Sequence, residues 1–145
     1  MGFRFTLAAV LSVKQSIEKR EEIALQRTQL QVARIRRKIQ ETTDEIEIAK
    51  ELRDKELQET TRANRLQTLQ SEIDAAVEAK QALITSLESL KEQRDLQMKA
   101  YRKAHSEREM FTDLLKQQKS AYEQEQLRVQ QRRLDDIVTS RWRRN

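Results

Sequence analysis

Glu59-Thr60-Thr61-Arg62-Ala63-Asn64 decides how this chain folds, because the hydrophobic seams on its two sides do not share a register. Before it, core slots recur in alternating steps of three and four, the spacing of a coiled-coil seam. They fall on Leu7, Leu11, Leu25, Val32, Ile35, Ile39, Ile46 and Ala49, with Lys14, Glu18, Glu21, Thr28, Thr42 and Arg53 between them. After it, a second series runs through Leu66, Leu69, Ile73, Ala76, Leu83, Leu87, Leu90, Tyr101, Ala104, Phe111, Leu115, Tyr122 and Val129. Continuing the first phase would place a slot at Gln67, one residue away from Leu66. The slip falls in the longest stretch between the seams that has no large apolar residue. A helix with one sticky seam needs a partner to cover it, and a turn at about residues 60–64 supplies that partner from the same chain. Thr60 and Thr61 are mediocre helix formers. Asn64 with Gln67 three positions on has the form of a relaxed capping box. No Gly marks the turn, so one continuous helix in a parallel dimer stays open as the alternative.

The expected fold is therefore all-α: a single long two-helix antiparallel coiled-coil hairpin over residues 1–145. Helix one is expected at about 3–59 and helix two at about 65–140. Composition agrees. The chain has one Gly, no Pro and only one Trp, two Tyr and three Phe, while charged residues make up 37%. Loops need Gly and Pro, and a globular core needs more aromatic bulk. Glu, Lys, Arg, Gln, Leu and Ala instead lose little side-chain freedom on a helix.

With a turn centred near residue 62, paired residues should have numbers that add to about 124, and helix two should run past the start of helix one from about residue 125. At 1.5 Å per residue that overhang reaches up to about 30 Å. Charge concentrates there. Residues 126–145 hold six Arg against Asp135 and Asp136, so +4 of the net +5 sits in this segment.

Catalytic chemistry has little to work with. There is no Cys, and His105 is the only His, so no thiol–imidazole pair and no His or Cys metal site can be assembled within one chain. The lone Gly, at position 2, leaves no phosphate-cradling loop. The expectation is a non-enzymatic protein without cofactor, metal or small-molecule ligand. Polar residues in the second seam (Lys80, Arg94, Gln97, Arg108, Gln118 and Glu125) cost stability while restricting register and partner choice. In a thin two-helix seam they also simply reach water. The basic knot Arg34, Arg36, Arg37 and Lys38 suggests nucleic acid. Its residues occupy different helix faces, acidic residues are interleaved, and few aromatics are present to stack on bases, so no nucleic-acid partner is expected. The apolar run from Phe5 after Arg4 looks superficially like a signal peptide. No A-x-A-like cleavage site follows, however, and the helical pattern continues through Ile17 and Leu25, which favours a cytoplasmic protein.

Both ends resemble one family. The opening Phe3-Arg-Phe-Thr-Leu7-Ala-Ala-Val10-Leu11 running into a charged helix is similar to the start of the flagellar export protein FliJ family. Glu109-Met-Phe-Thr-Asp-Leu-Leu-Lys116, Tyr122-Glu123 and Gln130-Gln-Arg-Arg-Leu-Asp135-Asp136-Ile137 resemble that family's closing pattern, with Asp-Asp in place of its commoner Asp-Glu. The resemblance implies a cytoplasmic component of the type III export apparatus, peripherally associated with its inner-membrane part and similar to the central stalk of rotary ATPases. The partners it implies are the hexameric export ATPase FliI, the export gate protein FlhA and substrate chaperones. Mapped onto this chain, ring binding would fall to Phe3, Phe5, Leu7, Val10 and Leu11 at the tip and to Arg128, Arg132, Arg133, Asp135 and Asp136 on the overhang. Gate contact would fall to Leu69, Ile73 and Ala76 near the turn, residues that equally read as hairpin core. The equivalent stalk of a virulence secretion system and a generic coiled-coil scaffold or chaperone remain alternatives.

Overall fold

The computed structural model describes residues 2–59 and 62–145; Thr60 and Thr61, on which the expected turn at 60–64 partly falls, lie outside the described residues. Two helices account for nearly all the rest, α1 (Ala8–Gln58) and α2 (Ala63–Arg144). They pack against each other as an all-α helical hairpin. Both are built from strong helix formers uninterrupted by Pro or Gly.

The helix ends differ in detail from the pattern-based expectation. Helix one starts at Ala8, not near residue 3. Phe3 and Phe5 face inward while Arg4 and Thr6 are exposed, the two-residue alternation of extended chain. The Phe5 carbonyl accepts the Ala8 amide at 3.2 Å and the Leu7 carbonyl accepts the Leu11 amide at 2.9 Å, which starts the helix. At the other junction the Arg62 carbonyl accepts the amides of Arg65 and Leu66 at 3.0 and 3.4 Å. Asn64 already lies inside α2, and its carbonyl accepts the Thr68 hydroxyl at 2.9 Å. The N-cap position is thus taken before Asn64, so the expected capping box is not what opens this helix.

The chain forms two compact units. One comprises Glu22–Ala100 and contains the turn-proximal parts of both helices. Leu25, Thr28, Val32 and Ile46 of α1 and Leu69 and Ile73 of α2 are buried there. The remaining seam slots of this unit, from Ile35 and Ile39 to Leu87, Leu90 and Gln97, are half-buried, as a two-helix seam dictates. Thr28 is the one buried polar side chain among the described residues, and its hydroxyl donates to the Ala24 carbonyl at 3.3 Å. Across the helices, Arg53 Nη1 donates to Gln70 Oε1 at 2.9 Å, and Arg65 Nε lies 3.5 Å from Glu56 Oε2.

The other unit comprises Met1–Glu21 with Tyr101–Asn145. Phe5, Leu11 and Ala104 are its buried apolar side chains. The Phe3 and Tyr122 rings meet with centroids 5.6 Å apart, tilted by 53°. In both units the numbers of facing residues add to within a few of the expected value of about 124.

Candidate partner-binding end

The polar contacts of the Met1–Glu21 and Tyr101–Asn145 unit form a compact cross-helix latch. Lys14 Nζ donates to Glu107 Oε2 at 2.8 Å. One turn further along α1, Glu18 receives Arg108: Nε donates to its Oε2, and Nη2 approaches its Oε1 at 3.5 Å. His105 completes the group. Its Nδ1 lies 3.4 Å from Glu18 Oε1 and 3.3 Å from Arg108 Nη2, and its Nε2 lies 3.1 Å from Glu109 Oε1. Its ring stacks on Tyr101 at 5.9 Å.

The latch is charge-assisted, which makes its hydrogen bonds stronger than neutral ones. The Arg108 hydrogen bond holds the Glu18 carboxyl below the usual glutamate range, against the opposing effect of burial and with a smaller contribution from His105. Lys14 does the same to Glu107. Lys14, Glu18 and Arg108 are all seam slots. Glu18 and Arg108 thus pair across the seam slot to slot, whereas Lys14 reaches Glu107 beside it. His105, fully engaged with its neighbours, forms part of this structural group. Among the described residues no group of three or more His, Asp or Glu is placed to hold a metal ion.

The structure gathers both halves of the sequence-predicted ring-binding set into this one unit, in differing environments. At the tip, Phe5 and Leu11 are buried and Phe3 and Leu7 half-buried against the hairpin itself, so Val10 is the member that faces water, joined by Val13. On α2, Arg128, Arg132, Arg133, Asp135 and Asp136 are all exposed. Arg128 makes only a loose approach to Glu125, at 3.8 Å. Beyond Tyr122 every residue except Val129 is exposed. The three gate candidates lie in the Glu22–Ala100 unit, where Leu69 and Ile73 are buried in the seam and Ala76 half-buried.

Attention to charge alone missed one feature of the overhanging helix. Leu127, Leu134, Ile137, Val138 and Trp142 are all large, apolar and exposed. Val138 and Trp142 line a shallow notch with Arg141 and Asn145. The sequence carries the signal as spacings of seven, four and four from Leu127 to Trp142, in a phase different from that of the seam.

This geometry defines a class of protein: an all-α coiled-coil hairpin whose second helix runs on into an exposed segment that carries most of the net positive charge and an exposed apolar stripe. Within that class the chain belongs to the flagellar FliJ protein family, whose model matches residues 3–145. No curated protein and no solved structure matches it. Family membership makes it a coiled-coil protein associated with flagellar type III protein export. Among the described residues no helix is long and apolar enough to cross a membrane.

Proposed function

We propose that this protein is a stalk of the flagellar export apparatus, whose open end engages the hexameric FliI-like export ATPase ring and links it to the FlhA-like export gate and to substrate chaperones. Its role is mechanical and not enzymatic, and it acts in the cytoplasm at the inner-membrane export machinery. The observation that carries this reading is the overhang of α2, where Arg128, Arg132 and Arg133 stand in water beside a tip pinned down by Phe5 and Leu11. A lone helix backed by a latched hairpin is narrow enough to enter a ring lumen, and charged side chains on it set orientation and encounter rate. Asp135 and Asp136 alternate the sign of charge along it. Gate contact belongs to the turn-proximal segment that starts with Leu69, Ile73 and Ala76. Leu69 and Ile73 are already occupied by the seam, so exposed neighbours such as Val77 complete that surface.

Mixing the protein with purified export ATPase should raise ATP hydrolysis and favour hexamers. Arg132→Glu combined with Arg133→Glu should abolish both effects, and Leu7→Asp with Leu11→Asp should do so by dislodging the tip, each leaving helicity by circular dichroism mostly intact. Absence of binding at micromolar concentrations of both proteins sinks the reading. Binding that survives both double variants moves the interface elsewhere.

A further inference from the structure

The exposed stripe on the overhang has a direction. With about 100° of rotation per residue, Leu127, Leu134, Val138 and Trp142 share an arc of roughly 80°, with Ile137 about 60° beyond it. The seam slots Tyr122 and Val129 lie roughly on the opposite side of the same helix. The stripe is therefore no continuation of the face that α2 presents to α1, and lengthening α1 would not cover it. Leu127, Leu134, Ile137 and Val138 are between 52% and 65% exposed, and Trp142 is 81% exposed.

Charge selects among the occupants such a stripe can have. Measured from the centre of the arc, Arg128, Arg132 and Arg143 stand about 80°, 120° and 140° round on one side and Arg141, Arg144 and Arg133 about 60°, 120° and 140° round on the other, with Asp135 the one acidic residue near its border; no arginine lies inside the arc. A second copy of this chain would bring two segments of net +4 together across a narrow seam, which like-charge repulsion opposes. A nucleic acid would neutralise the arginines and leave Leu127, Leu134, Val138 and Trp142 in water. A surface that is apolar within and negative at its rim satisfies both sets at once. That is the boundary of a bilayer containing anionic lipid, where arginines extend their stems outward to headgroups and a Trp ring settles at the interface.

We propose that residues 127–142 of α2 form an interfacial helix that lies on anionic lipid surfaces. Leu127, Leu134, Val138 and Trp142 insert at the headgroup–acyl boundary, while Arg128, Arg132, Arg133, Arg143 and Arg144 engage lipid phosphates. This goes beyond the ring reading and uses the same segment, so the two engagements exclude each other. The lipid test needs the chain alone, and its outcome is independent of whether any ATPase is bound.

Trp142 is the only Trp in the chain, so its fluorescence reports this segment and nothing else. The full-length protein is titrated with vesicles of phosphatidylcholine alone and of phosphatidylcholine mixed with phosphatidylglycerol. Expected are a blue shift of emission and co-sedimentation with the phosphatidylglycerol vesicles, about tenfold or more tighter than with neutral ones, reversed by high salt. Leu134→Asp with Val138→Asp should remove the shift, and Arg128→Glu with Arg132→Glu and Arg133→Glu should weaken binding at least tenfold. These side chains are largely exposed, so helicity and urea stability stay close to the wild-type level. Equal binding to neutral vesicles overturns the proposal, as does co-sedimentation that leaves Trp142 emission unshifted, which would place contact at another part of the chain. A blue shift that grows with protein concentration in the absence of lipid, together with a doubled mass by sedimentation, overturns it in favour of a second copy. Absence of any shift with anionic vesicles ends it.

Discussion

Leu69 and Leu134 are the same residue on the same helix, yet one is 2% exposed and the other 62%. Leu69 sits in the seam phase of the turn-proximal unit and closes on α1. Leu134 sits on the overhang, in the opposite phase, and touches nothing across from it. Leucine suits both positions as a helix former, so propensity does not separate them; phase and the presence of a facing helix do. The contrast separates two uses of apolar surface in one coiled coil. In the turn-proximal unit it supplies stability. On the overhang it supplies none to the hairpin, and is free for a partner.

The largest effects should therefore come from the seam. Leu69→Ala removes a fully buried side chain from a thin interface and should cost about 2–4 kcal/mol, read as a lower urea midpoint followed by circular dichroism. Ile73, also 2% exposed, should behave alike. A loss below about 1 kcal/mol at both sites would break the comparison, because it would mean that the seam collapses around missing atoms.

The seam was the most legible part of the sequence. Every slot from Leu25 to Arg53 and from Leu66 to Tyr122 is buried or half-buried, because a three-four repeat admits only one face to a neighbouring helix. The helix ends were less legible. Phe3, Phe5 and Leu7 follow a two-residue period that merges into the helical step from Leu7 to Leu11, and local rules do not say which period wins. Asn64 carries a capping signature, but the Arg62 carbonyl accepts the first amides of α2. At the candidate site, charge pointed to the arginines of the overhang and hid the stripe among them, since Leu127, Leu134 and Val138 fall outside the seam series. The burial of Phe5, which no seam slot marks, was also out of reach, because apolarity at a tip predicts contact without saying with what.

A second effect, smaller than that of Leu69→Ala, belongs to the latch. Arg108 lowers the Glu18 pKa and Lys14 lowers that of Glu107. The unfolded chain then takes up protons at higher pH than the folded one. The latch contributes fully above the ordinary glutamate value of 4.5 and loses its contribution as pH falls below it through the depressed values. The urea midpoint should drop on acidification through that range. In Glu18→Gln the midpoint should start lower at neutral pH and fall less steeply in acid. An unchanged acid slope in that variant would assign the pH dependence to other carboxylates.

Thr28→Val sharpens the comparison from within the seam. Thr28 is 3% exposed, and its hydroxyl bonds only to the Ala24 carbonyl of its own helix, a group already placed to accept the Thr28 amide. Removing the hydroxyl therefore strands no other polar group, and the added methyl faces the core. A stabilisation of up to about 1 kcal/mol is expected. Destabilisation would show that the seam at this point has no room for the methyl.

The smallest effect is the most telling, because it is an expected absence of change. Leu134→Ala and Val138→Ala each delete apolar bulk comparable to that removed from Leu69, and each should shift the unfolding free energy of the isolated protein by no more than about 0.5 kcal/mol. Alanine's higher helix propensity offsets what little the exposed stems contribute to the helix. Trp142 gives a parallel reading. Its ring is already in water in the folded chain, so its emission should hold nearly constant through a urea transition that removes the helical circular dichroism. A shift of emission on unfolding, or a cost above 1 kcal/mol for Leu134→Ala, would mean that the stripe is covered in solution and that Leu134 belongs with Leu69 after all. Constancy in both leaves the overhang's apolar face with no role inside the hairpin, and what selects for it then lies in a partner.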